Sequence, residues 1–131
     1  MEIRSTFDIL LVEDEEIVAT VARRMLERDG HRIETAVDGV DAMQKLGERE
    51  RFPDVILLDL EMPRMDGRET MARVLEENPA ARIILTSGYA AESTDSAEPG
   101  GNVRFLQKPY TRADLSAAIQ EIGGAPTTPR G

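Results

Sequence analysis

Asp59 closes the run "DVILLD", in which a strand-like apolar segment, residues 54–58, stops abruptly in a carboxylate. Three more strand-like runs stop in groups that carry charge or a hydroxyl: "FDILLV" in Glu13-Asp14, "RIILTS" in Thr86-Ser87 and "VRFLQ" in Lys108-Pro109. Brought together, Glu13, Asp14 and Asp59 would set three carboxylates side by side. Like charges at that range raise one another's proton affinity unless a cation compensates. Mg2+ (or Mn2+) meets that need, because a hard divalent ion takes oxygen ligands and keeps waters beside one or two carboxylates. Lys108 adds a fixed ammonium and Thr86 a hydroxyl donor. An ionised aspartate acts as a nucleophile without a general base, and phosphoryl transfer asks mainly for in-line positioning and neutralised equatorial oxygens. The set therefore suits a phosphoryl group carried on Asp59.

The elements that must position these residues are legible from periodicity. Residues 15–29 place Ile17, Val18, Val21, Ala22, Met25 and Leu26 at helical spacing, and Gly30 stands where a helix C-terminal glycine belongs. "HRIETA" reads as a more polar, peripheral strand, after which Asp38 can cap a second helix carrying Val40, Met43 and Leu46. "DVILL" is apolar at consecutive positions, as a central parallel strand covered on both faces should be. "MDGRETMARVLEENP" predicts a third helix stopped at Asn78-Pro79. Thr111 and Asp114 form a capping-box variant before a last helix with Leu115, Ala118, Ile119 and Ile122 facing inward. Five β-α alternations predict an α/β fold, a (βα)5 doubly wound five-stranded parallel sheet. Ligands of such sheets bind beyond the carboxyl ends of the strands, where these polar residues stand.

Composition narrows the classes. The chain of 131 residues suits one domain, and its net charge of −9 excludes a general nucleic-acid or anionic-membrane surface, which needs clustered Lys and Arg. Cysteine is absent, so no disulfide framework or thiolate metal site is available. No apolar run approaches a membrane span, and the N-terminus lacks a secretory layout; a cytoplasmic location is expected. His31, the sole histidine, begins the peripheral strand and is expected to have no catalytic part. No P-loop or dinucleotide fingerprint occurs, so phosphate must come from another domain or protein.

With "LLVEDEE", "DVILLDLEMPRMDG", "ILTSGYA" and "FLQKPY" in order over residues 7–122, the chain resembles the receiver domains of two-component response regulators. The resemblance implies the flavodoxin-like receiver fold, with residues 1–6 an N-terminal extension, 7–122 the receiver and 123–131 a flexible tail. It implies that Asp59 accepts a phosphoryl group from a phosphohistidine of a sensor histidine kinase or histidine phosphotransfer protein. Asp14, Asp59 and the backbone carbonyl of Glu61 would bind Mg2+, with Glu13 acting through a water. Lys108 would pair with the phosphoryl oxygens, and Thr86 would reach them as Phe105, the aromatic switch, rotates inward. A cis Lys108-Pro109 bond is implied as well. The switched surface would be the fourth helix, fifth strand and fifth helix, read by a downstream protein. "TSGYA" and "FLQKPYTRADL" further resemble receivers of hybrid histidine kinases and some single-domain regulators. Such a domain is no stand-alone enzyme, although it catalyses its own phosphoryl transfer and dephosphorylation.

Two segments depart from that pattern. "AAESTDSAEPGGN", between Tyr89 and Val103, has almost no apolar stripe, so the fourth helix is expected to be short or partly absent. Glu61 is an acid at the position two after the acceptor, which tunes phosphoryl lifetime in the family. Two alternatives stand beside the receiver reading. One is an aspartyl-phosphate phosphatase of the haloacid-dehalogenase type, which wants an aspartate where Glu61 is; the other is a degenerate receiver that docks partners unphosphorylated.

Overall fold

The computed structural model describes residues 6–62, 65–88 and 102–123. Five strands, β1 (Asp8–Val12), β2 (Arg32–Ala36), β3 (Val55–Asp59), β4 (Ile83–Ser87) and β5 (Val103–Gln107), form one parallel sheet in the order β2-β1-β3-β4-β5. The helices α1 (Glu16–Arg28), α2 (Gly39–Glu48), α3 (Gly67–Glu77) and α4 (Arg112–Gly123) cover its two faces. The helix expected between β4 and β5, and both expected terminal segments beyond residues 6 and 123, lie outside the described residues.

Two-sided burial explains why the strands read as unbroken apolar runs. Leu10, Val12, Ile56, Leu58, Ile83 and Leu85 pack with Ala42, Met71 and Val74 of α2 and α3. The alternate residues Ile9, Leu11, Val55, Leu57 and Ile84 pack with Ala22 and Leu26 of α1 and Leu115 and Ile119 of α4. Side chains alternate across a strand, so each residue type must be apolar where both faces are roofed. β2 lies at the edge, which accounts for its polar sequence.

The expected punctuation is in place. Asp38 Oδ1 accepts from the Asp41 N–H at 2.8 Å, and Thr111 and Asp114 cap each other reciprocally at 3.0 Å. Gly30 has φ 95°, with the Gly30 and His31 N–H groups donating back to Glu27 and Leu26. This is a Schellman ending, which a left-handed glycine permits. The helical stripes need correction. Ile17 and Val21 are 79% and 48% exposed, and Val40 is 42% exposed, because α1 and α2 turn only Ala22, Leu26 and Ala42 fully onto the sheet. No helix among the described residues is long and apolar enough to cross a membrane.

His31 sits at the end of the sheet opposite the polar strand ends. Its Nδ1 accepts from the Phe7 N–H at 2.9 Å, the two rings stack at 5.7 Å, and Nε2 is buried with no partner among the described residues. Burial lowers its pKa below the ordinary 6.5, against a weaker opposing pull from Asp29. The unfolded chain thus takes up the proton first. The stability His31 contributes is full above its unfolded value and drains away as pH falls through the depressed folded one. Compared with His31→Asn, whose Oδ1 can accept the same N–H without titrating, the wild type should lose more stability between about pH 7.5 and about pH 5.5. Urea midpoints that fall in parallel for the two proteins would refute this.

Candidate functional site

Strand order reverses beside β1, whose neighbours β2 and β3 leave in opposite directions, and crevices of doubly wound sheets open at such switch points. Asp59 is the last residue of β3, and Glu13 and Asp14 follow β1 directly. Side-chain parity then selects a face. Leu11, Leu57, Ile84 and Leu106 all contact the α1/α4 core, and Glu13, Asp59, Thr86 and Lys108 each stand two residues further on. Alternation carries all four to the same side of the rim. Register completes the placement, since Asp59 pairs with Thr86 across β3 and β4.

The predicted residues come together. One ligand oxygen from each of Glu13, Asp14 and Asp59 lies within 4.8 Å of the others. Lys108 Nζ is 3.1 Å from Glu13 Oε1 and 3.2 Å from Asp59 Oδ1. Asp59 is 3% exposed and Glu13 5%, whereas Asp14 opens to solvent. Thr86 is buried, and its carbonyl accepts from the Leu60 N–H at 2.8 Å. The Lys108-Pro109 peptide is cis. Phe105 stands apart from this group: it pairs with Leu85 and packs half-buried against the α2/α3 core.

The charge balance is unequal. Burial raises the pKa of Asp59, with Lys108 and the Glu61 N–H pulling the other way. Glu13 is raised by burial and then by Asp59. For Lys108 burial opposes the charge, but Asp59 and Glu13 outweigh it and raise its pKa. One ammonium is thus shared by two buried carboxylates, with a third beside them. A site holding that excess of oxygen anions, one of them open to solvent, has the donor set of a hard divalent cation.

Glu61 enters in a way its sequence position did not show. Its N–H donates to Asp59 Oδ1 at 3.2 Å, while its own carboxylate turns away to β4, accepting from Ser87 Oγ and, at 3.2 Å, from the Gly88 N–H. Asp14, Glu15, Asp59, Glu61, Gly88 and Lys108 line one cleft of about 380 Å³. Sequence reading singled out neither Gly88 nor Tyr110, whose pKa is raised by burial first, with Lys108 opposing and Glu13 and Asp59 adding. Tyr110 follows Lys108-Pro109 at the rim; nearness to Lys108 in the sequence was the available signal.

Comparison with known proteins agrees with this geometry. A family model described as the response regulator receiver domain matches residues 9–120. The chain is 30% identical over 115 residues to the sensor kinase CckA of Brucella abortus, covering 87% of this chain and 12% of that protein. It is 40% identical to a protein-glutamate methylesterase/protein-glutamine glutaminase of Halalkalibacterium halodurans, covering 93% of this chain and 38% of that one. The chain thus spans well under half the length of either relative. Among solved structures, it is similar to the receiver domain of a Pseudomonas aeruginosa sensor histidine kinase with a magnesium ion coordinated in its active-site cleft. That likeness has a TM-score of 0.81 at 28% identity, over 92% of this chain and 99% of the other. With the sheet order, the acidic rim and the family match in agreement over nearly all its length, this chain belongs to the response regulator receiver domains of two-component signalling.

Proposed function

We propose that Asp59 is the phosphoacceptor of a phosphorelay. The single observation that carries this reading is the position of Lys108 Nζ, 3.2 Å from Asp59 Oδ1 and 3.1 Å from Glu13 Oε1, in a cluster of three carboxylates. Oδ1 is held by Lys108 and the Glu61 N–H, so Oδ2 is the oxygen left to attack. Oδ2 adds in line to phosphorus, and the phosphorus–nitrogen bond of a phosphohistidine donor breaks with its electron pair returning to the donor imidazole. Lys108 then exchanges part of its hold on Asp59 for the new phosphoryl oxygens, and Thr86, in register with Asp59, offers its hydroxyl. Later attack by water regenerates the Asp59 carboxylate and releases inorganic phosphate.

Asp14, Asp59 and the Glu61 carbonyl would hold a Mg2+ (or Mn2+) ion, with Glu13 behind them. Bound there, the ion would neutralise the charge gathering on the equatorial oxygens. The receiver unit is residues 7–122, and Phe105, beside β4, reports the state of Thr86 to the surface formed with β5 and α4. A sensor histidine kinase or phosphotransfer protein supplies the phosphoryl group in the cytoplasm, and a protein target reads the result. The phosphatase alternative lacks support, because the acid two residues after Asp59 is a glutamate already engaged by Ser87 and Gly88.

Incubation with a small-molecule phosphodonor and Mg2+ should add one phosphoryl mass to the intact protein. Asp59→Asn should add none. A mass shift that survives in that variant would overturn the assignment.

A further inference from the structure

We infer that Glu61 is a positioning residue, a charge-sensitive latch that ties the end of β4 to the acceptor loop while Asp59 is unmodified and lets go when a phosphoryl group arrives. The inference rests on the phosphoacceptor reading of Asp59 and adds to it a route by which occupancy of the cleft reaches the end of β4.

Glu61 is joined to both sides of the cleft. Its backbone N–H holds Asp59 Oδ1 at 3.2 Å, and its side chain crosses to β4, where Oε2 accepts from Ser87 Oγ and Oε1 accepts from the Gly88 N–H at 3.2 Å. Ser87 is almost fully buried, whereas Glu61 is exposed. A Cβ placed on Gly88 would meet nothing within 4 Å among the described residues, so none of them packs closely against that position. Backbone bonds hold Thr86 and Ser87, from the Leu60 N–H to the Thr86 carbonyl at 2.8 Å and from the Lys108 N–H to the Ser87 carbonyl at 2.7 Å, and Glu61 adds the tie at Gly88 by accepting from its N–H.

The latch is built from charge, and charge can open it. Glu61 already works against the negative charge on Asp59. Phosphorylation replaces the single charge of the Asp59 carboxylate with a phosphoryl group of about −1.5 to −2 and three acceptor oxygens, in a cleft that Glu61 and Gly88 both line. Lys108 already serves Glu13 and Asp59, so its single charge is divided further when it turns to the phosphoryl oxygens. Of the acids at the rim, Glu13 is buried, and Glu61 is free to swing into water. Its departure takes one acceptor from Ser87 and one from Gly88, and donors next to a more highly charged anion gain by turning to it. Phosphorylation would thus exchange a contact that anchors β4 for one that depends on the phosphoryl group.

Amide NMR of the full chain tests this, with Mg2+ and beryllofluoride, a tetrahedral phosphoryl analogue, as the probe. Without the probe, the Gly88 amide of Glu61→Ala should differ from that of the wild type; at saturation the two should coincide. Glu61→Gln can accept the same bonds without being repelled, so its Gly88 amide should stay apart from that of Glu61→Ala in both conditions. Both uncharged variants should bind beryllofluoride more tightly, by on the order of tenfold. Coincident Gly88 amides without the probe would overturn the latch, as would a difference that survives saturation unchanged while the amides around Asp59 respond. Silence around Asp59 as well would overturn the phosphoacceptor reading and the release with it.

Discussion

Lys108→Met should lower stability at neutral pH by about 3 kcal/mol in divalent-free buffer, because removing one partner of a buried ion pair leaves the other charge uncompensated. Here two charges are left. Asp59 and Glu13 are 3% and 5% exposed, and the ammonium stands between them at 3.2 and 3.1 Å. Both carboxyls already have raised pKa values, chiefly through burial, and losing Lys108 removes a group that holds them down. The deficit should therefore shrink as pH falls through the raised carboxyl range, where the folded protein takes up protons that relieve the repulsion. Chemical denaturation of the wild type, Lys108→Met, Asp59→Asn and the double variant closes the cycle. The double variant should recover at least about 1 kcal/mol of the single loss, and effects additive within about 0.5 kcal/mol would show that the pair is not coupled. Phosphoryl incorporation should also fall in Lys108→Met, by roughly 10²–10³-fold, the usual cost of removing one preorganised charge-stabilising donor.

Gly67→Ala should be nearly as damaging, for a steric reason. A Cβ at Gly67 would stand 2.5 Å from Leu60 Cα and 2.6 Å from the Asp59 carbonyl oxygen. Both are backbone atoms, so no side-chain rotation relieves the clash, and the first turn of α3 must withdraw from the end of β3. Overpacking of this kind costs about 1–3 kcal/mol. It also moves the Asp59–Glu61 segment, to which Gly67 is tied by its N–H bond to the Leu60 carbonyl at 3.1 Å. Phosphoryl incorporation should drop together with stability. Gly47→Ala, in the last turn of α2 with nothing within 4 Å of the added atom, is the control, and should stabilise by roughly 0.4 kcal/mol or slightly more. Denaturation midpoints of the two variants that moved equally would show that the contact at Gly67 is not tight.

Local chemistry made the elements readable. The strand-length apolar runs, the Asp38 and Thr111 caps and the glycine at residue 30 act on their own neighbours in the chain, and the structure has each where the sequence implied. The rim residues were readable for a related reason. A strand has period two, so a polar group just past an apolar run is aimed by the residue two before it, as Asp59 is by Leu57.

Partnership across elements was not readable. Nothing in the helical spacing of α1 says that Ala22 and Leu26 meet the sheet while Ile17 and Val21 remain exposed, because the width of the roof depends on how far the helix rolls against β1 and α4. Glu61 could be placed beside Asp59 by sequence, but its grip on Ser87 and Gly88 required β3 and β4 to be neighbours in register. The sequence by itself determined the strands, the caps and the polar residues at the strand ends, since these follow from contacts a few positions apart. Tertiary structure alone decided that one lysine serves two acids and that a glycine must lie against the end of β3. Those distances join residues 13, 59, 67 and 108, and they are fixed by packing that no local pattern encodes.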